Sequence, residues 1–161
     1  MRAAITFGTV DFPEIDLDEF RLNTPNIEGG RLDILAIDPI NPQVRQVLDE
    51  LWPDAFAHTI YATMWTTPHI DRTVVGDITL GLVISGDHYL FTGNGRRVGD
   101  LVPGTVFALC NKKTHGAYAR DKSNRIPMVF ATCEPEVDVR DWPTFCASVD
   151  QKIRDRQARL T

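Results

Sequence analysis

The feature that most constrains this chain is a block of five short β-favouring runs with no helical pattern among them. HTIYATMW (58–65), DITLGLVIS (77–85), HYLFTG (88–93), TVFALC (105–110) and IPMVFATC (126–133) are rich in β-branched and aromatic residues, and Gly, Asp, Asn and Pro turns separate them. Strands so closely spaced predict a mainly β architecture, an antiparallel sandwich or a jelly-roll barrel. Two helices flank the block. In NPQVRQVLDELW (41–52), Asn41 is placed to cap, Pro42 suits the first helical position, and Val44, Val47, Leu48 and Leu51 fall on one face before Pro53. From about 141 to 160, Asp141 is placed to cap and Trp142, Phe145, Val149 and Ile153 share a face, so both helices read as packing elements against the outside of one sheet. The first forty residues are mostly short and extended, with ILAI (34–37) reading as a buried strand.

Length and charge narrow the function classes. A chain of 161 residues with 43% apolar content suits one domain with a real core, here centred on about 60–132. A net charge of -5 offers no broadly basic surface and disfavours a nucleic-acid partner, leaving only a local basic patch to serve one. Cys110, Cys133 and Cys146 are odd in number and form no CxxC pair, so they read as small buried hydrophobes with free thiols. No run approaches the ~18 apolar residues of a membrane span, and the N-terminus lacks the apolar core of a secretion signal. The expectation is a soluble, cytoplasmic protein.

Chemistry concentrates in TTPHIDRTVVGDITLGL (66–82). His69 and Asp71 are two apart, and in a strand such residues project from one face, so both can reach one metal ion. One more imidazole would complete the two-histidine, one-carboxylate face of non-haem Fe(II) oxygenases. His58, before the YATMW strand, and His88, in SGDHYLF, read as turn or strand-edge residues. His115 differs: it follows the strand TVFALC in NKKTHGAY, 44 positions beyond Asp71. Ten residues later, in SNRIPMVFAT, Arg125 opens an apolar strand, a costly place for a cation unless it meets an anion. Its planar fork suits a carboxylate held by two hydrogen bonds.

Together His69, Asp71, His115 and Arg125 resemble the pattern of the Fe(II)- and 2-oxoglutarate-dependent oxygenases: a His-x-Asp pair, a distal histidine and a basic residue about ten positions on. DITLGLVISGDHYLF and GDLVPGTVFALCNKKTHG also look like that family's strands and turns around its metal ligands. The resemblance covers about 60–132 and implies a double-stranded β-helix, the jelly roll or cupin-like barrel. It implies Fe(II) on His69, Asp71 and His115, with 2-oxoglutarate as cosubstrate and its distal carboxylate on Arg125. Tyr61 is the candidate polar residue beside that carboxylate, with Thr63 and Trp65 sharing its face. It further implies O2 as oxidant, release of succinate and CO2, and hydroxylation or oxidative demethylation of a substrate, while the presence of Asp71 argues against halogenation.

Two departures stand out: the gap from the metal pair to His115 is short for the family, and Pro127 stands where many members carry a hydroxyl residue. One rival reading is a cupin-type metalloenzyme that does not use 2-oxoglutarate, weakened by the lack of glutamate between Glu50 and Glu134. The other is a non-catalytic jelly-roll binding module. Arg72, Trp65 and the pair Lys112-Lys113 are weak candidates for substrate contact, the cations reading first as solvated charge. With no large insertion, the substrate expected is a small molecule or a flexible side chain.

Overall fold

A computed structural model describes residues 3–11, 15, 35–37, 41–71, 76–123 and 126–160. Arg72, Arg125, Ile34 and most of the first forty residues therefore lie outside the described residues. Among the described residues there are ten strands: β1 (Ala4–Thr9), β2 (Leu35–Ile37), β3 (Ala55–Thr63), β4 (Thr66–His69), β5 (Ile78–Ser85), β6 (His88–Thr92), β7 (Arg97–Leu101), β8 (Thr105–Cys110), β9 (His115–Ala119) and β10 (Met128–Pro135). The described helices are α1 (Pro42–Leu51) and α2 (Trp142–Arg159), the second preceded by a 3-10 turn at Val139–Asp141.

The strands form two antiparallel sheets, a six-stranded one in the order β1-β8-β5-β10-β3-β2 and a four-stranded one in the order β4-β9-β6-β7. The connectivity is that of one long hairpin rolled up. Its tip is the β6–β7 pair, and moving outward along its arms β5 meets β8, β4 meets β9 and β3 meets β10. Rolling the hairpin sends alternate pairs to opposite sheets, and the result is a jelly roll, one of the two architectures expected from the strand pattern and the double-stranded β-helix that the resemblance implies.

Alternation across the large sheet separates two cores. In β5, Ile78, Leu80, Leu82 and Ile84 join Val44, Leu48, Phe145, Val149 and Ile153 of the helices in one buried cluster. The intervening Val83 belongs to a second cluster inside the barrel, with Leu90, Leu101, Phe107, Ala117 and Met128. A strand covered on both faces has no polar side to show, which is why ITLGLVIS is almost unbroken in its apolar character. Gly81 is required by its neighbour: a Cβ there would lie 2.1 Å from Phe107 Cζ, so the ring can cross the strand only over glycine.

The helices form as their sequence patterns predict, with one difference. Asn41 Oδ1 accepts from the backbone N–H of Gln43 (2.8 Å) and of Val44 (3.2 Å), and Val44, Val47, Leu48 and Leu51 are buried. In α2, Trp142, Phe145, Val149 and Ile153 are buried as expected, but Asp141 makes no capping hydrogen bond with its side chain. The 3-10 turn has already begun to wind the chain, and Asp138 caps that turn through Arg140 N instead (2.8 Å). No helix among the described residues is long and apolar enough to cross a membrane.

His88 is a core residue rather than a turn residue. It opens β6 fully buried, with Nε2 2.8 Å from the Met64 carbonyl and Nδ1 accepting from Asp87 N–H (3.2 Å). That arrangement fits the neutral imidazole with its proton on Nε2. Burial pushes its pKa below the ordinary 6.5, so the folded protein refuses a proton that the unfolded chain accepts. Stability is therefore lost as pH falls below 6.5, by up to ~1.4 kcal/mol per pH unit for one such group. Urea unfolding from pH 8 to pH 5 should show this acid-side loss, and His88→Asn should flatten it. An unchanged slope in the variant would show that His88 takes up its proton in the folded state as readily as in the unfolded one.

Candidate metal centre

His69 closes β4 and His115 opens β9, and the two residues face each other across the antiparallel pair. Their rings stand 4.7 Å apart at 65°. Asp71 does not belong to the strand as the two-residue spacing suggested: β4 ends at His69, two residues before it. What aims this carboxylate is a hydrogen bond from Asp71 N–H to the carbonyl of Asn111, 2.9 Å. The carboxylate then lies between the two imidazoles, with Oδ1 3.3 Å from His69 Nε2 and Oδ2 3.1 Å from His115 Nε2. Among the described residues these three make the one group whose ligand atoms could hold a metal ion, all within 4.8 Å of one another.

The far side of each ring fixes its chemistry. His69 Nδ1 lies 2.7 Å from the Thr67 carbonyl, and His115 Nδ1 lies 2.9 Å from the Lys113 carbonyl. A carbonyl only accepts, so each Nδ1 carries a proton, and in the neutral ring the Nε2 lone pair then points at Asp71. Two lone pairs facing a carboxylate repel unless a cation lies among them, either a proton or a metal ion. Backbone-anchored imidazoles of this kind are what metal-ligating histidines usually show. Burial alone would raise the Asp71 carboxyl, but the hydrogen bonds from His115 and His69 outweigh it and hold it well below the usual carboxylate range. The same contact with Asp71 raises His69, against a smaller opposing effect of burial. His115 is 3% exposed, while the His69 and Asp71 side chains are 28% and 23% exposed, so the group is open on one side. Two imidazoles and one carboxylate are a donor set that suits a divalent transition metal.

Asn111 is the residue that sequence reasoning missed. Fully buried, it accepts from Thr79 Oγ1 (2.7 Å), donates through Nδ2 to the Gly76 carbonyl (2.9 Å) and donates its N–H to the Asp77 carbonyl (2.9 Å). Glu134 holds the same segment by accepting from Gly76 N–H, 2.7 Å. A polar residue placed directly after the apolar strand TVFALC was the available signal. Asn111→Ala strands the Thr79 hydroxyl and the Gly76 carbonyl, at a cost of ~1–3 kcal/mol. It should also weaken divalent metal binding roughly tenfold by loosening the Asn111 backbone, whose carbonyl accepts from Asp71 N–H. Thermal melts and metal titration of the variant check both effects.

Behind the three ligands the barrel encloses a cavity of about 320 Å³. Leu90, Leu101, Leu109, Met128 and the rings of Phe107 and Phe130 wall it, and Thr66, Thr79, Thr132 and Tyr61 supply hydroxyl groups. Tyr61 stacks on Phe130 at 5.5 Å between ring centroids. Thr63 and Trp65 do not line this cavity, and the Thr63 hydroxyl instead donates to the Trp65 carbonyl, 3.0 Å. His58 sits elsewhere, on β3 against α1, with Nε2 3.3 Å from Asp49. The thiols stand apart from the centre as well: burial pushes Cys133 up to about 12 and Cys146 up to about 11, values that leave both unreactive at neutral pH.

No protein-family model matches the sequence, and no curated protein matches it. Solved structures align with much of the chain at low similarity. A cupin-2 domain protein from Shewanella frigidimarina is 13% identical with a TM-score of 0.43, over 75% of this chain and 93% of that one. A cupin superfamily protein from Desulfitobacterium hafniense is 14% identical with a TM-score of 0.41, over 81% and 99%. A cupin 2 domain-containing protein from Halorhodospira halophila is 17% identical with a TM-score of 0.42, over 97% of each chain.

Proposed function

We propose that this chain is a mononuclear non-haem iron oxygenase that uses 2-oxoglutarate as cosubstrate and hydroxylates, or oxidatively demethylates, a small molecule or a flexible side chain. One observation supports the reading above all: two Nδ1-anchored imidazoles and one carboxylate turn their donor atoms on a single point at the mouth of a cavity. Fe(II) bound there would supply oxygen activation at the positions the protein leaves open. His69, Asp71 and His115 would hold the ion, and the Asp71 carboxylate would offset part of its charge. The apolar walls keep water from the reacting centre. Arg125, three residues before β10 in the sequence, supplies the fork for the distal carboxylate, and the Tyr61 hydroxyl on the cavity wall offers a second contact. The overall reaction balances as 2-oxoglutarate, O2 and R–H giving succinate, CO2 and R–OH.

Anaerobic titration of the metal-free protein with Fe(II) and 2-oxoglutarate tests this reading through the weak visible charge-transfer band of the chelate. The band should form in the wild type, and Arg125→Ala should need far more 2-oxoglutarate to reach it. A second reading, a cupin-type metalloenzyme that does not use 2-oxoglutarate, is favoured by the cavity positions of β10: Met128, Phe130 and Thr132 carry no charge, and no Lys or Arg lines the cavity among the described residues. Iron binding without a band, and oxygen uptake indifferent to 2-oxoglutarate, would select that alternative. No iron binding at all would leave a binding module without catalysis.

A further inference from the structure

A second concavity, of about 600 Å³, lies between the β6–β7 turn and the loop joining β8 to β9. Arg96, Arg97, Lys112 and Lys113 line it, and among its described lining residues there is no carboxylate. This contrasts with the chain as a whole, which carries 22 acidic residues against 17 Lys and Arg. The four cations are exposed. Arg97 is held by Asp100 (2.5 Å) and lies over the Tyr89 ring, but the guanidinium of Arg96 and the ammonium of Lys112 have no ion-pair partner among the described residues. Hydrogen-bond donors accompany the charge. Asn94 Oδ1 accepts from both Thr92 Oγ1 (2.7 Å) and Arg96 N–H (3.3 Å), which assigns its NH2 group as a donor with no partner among the described residues.

The groove is built rather than incidental. Gly93 N–H donates to the Thr114 carbonyl at 3.0 Å, locking the turn to the loop, and a Cβ at Gly93 would strike the Thr114 side chain at 2.7 Å. It also sits at the end of the barrel where the candidate ligands converge: β6 ends and β7 begins there, as do β8 and β9, and His115 directly follows Thr114. The Lys113 carbonyl that anchors His115 Nδ1 belongs to the same loop.

We propose that this groove binds a small multivalent oxyanion, the phosphate or diphosphate group of a small molecule, on the rim beside the candidate metal centre. Two cations without carboxylate partners among the described residues match the charge of such a group, and a guanidinium with an adjoining amide can hydrogen-bond several of its oxygens at once. The size suits a headgroup rather than a long polymer, and the acidic remainder of the surface repels an extended nucleic acid. The site is independent of iron and of 2-oxoglutarate, so it stands or falls separately from the proposed reaction.

Calorimetric titration of the metal-free full chain with inorganic pyrophosphate at fixed ionic strength tests it. Saturable one-site binding is expected, and sodium chloride at matched ionic strength should give none. Arg96→Glu/Lys112→Glu should weaken pyrophosphate at least about tenfold with an unchanged melting temperature, and Arg96→Gln/Lys112→Gln should fall between it and the wild type. Arg154→Glu/Arg159→Glu, the same change of net charge placed on α2, should leave the affinity as it was. Absence of saturable heat, or an equal loss in the α2 variant, would overturn the proposal. Tighter binding of a short single-stranded oligonucleotide than of pyrophosphate would overturn it too, in favour of a nucleic-acid surface.

Discussion

His115→Ala should lower the affinity for Fe(II) by roughly 100-fold or more, since even residues that only orient a ligand typically contribute 10–100-fold. The expectation follows from how few groups share the task. Three side chains converge, and His115 is the most enclosed of them, set by the Lys113 carbonyl on one side and Asp71 on the other. Its loss leaves Asp71 with one imidazole neighbour and would leave a bound ion one protein donor short. The variant should still fold, because His115 lies at a strand end and the barrel core clusters do not include it. Anaerobic Fe(II) titration by calorimetry, at a temperature where circular dichroism shows the variant folded, measures the effect. Unchanged affinity would place the metal elsewhere and remove the ground for an oxygenase.

The second large effect lies on the far face of the sheet. Phe145→Ala should destabilise the protein by ~3–5 kcal/mol, the cost of deleting a fully enclosed aromatic ring and leaving part of its volume empty. Phe145 is 1% exposed, with Trp52 5.0 Å and Trp142 6.2 Å away between ring centroids, where α2 closes over α1 and the sheet. Urea unfolding should register the loss, while Fe(II) affinity well below the midpoint should change by no more than about twofold. A loss below ~1 kcal/mol would mean that α2 is not cooperative with the barrel.

The two faces of the large sheet explain what was legible in the chain. β5 and β10 are enclosed by helices on one side and barrel on the other, so they appear in the sequence as continuous apolar runs. β4, β7 and β9 read TTPH, RVGDL and HGAYA, and no run of apolar residues announces them. Each belongs to the smaller sheet, whose outer face carries exposed residues such as Tyr118 and Arg97, so only alternate positions need be apolar. Short strands with one wet face leave little periodicity to detect. Asn111 escaped notice for a related reason: its role depends on contacts with Thr79 and Gly76, more than thirty positions away.

By itself the sequence determined the class of fold, the two flanking helices with their buried faces, and the residue types able to hold a metal. Each of those rests on local chemistry: β-branched runs between turns, apolar residues at helical spacing, and imidazole and carboxylate side chains. Only the tertiary structure decided that His69, Asp71 and His115 meet, since the 44 positions between Asp71 and His115 fix no distance until β4 pairs with β9. It also decided that Asp71 is aimed by the Asn111 carbonyl rather than by strand alternation, and that four scattered cations line one groove. Pairings of that kind depend on which strands become neighbours, and long-range strand pairing is settled by the burial of the whole sheet rather than by any one segment.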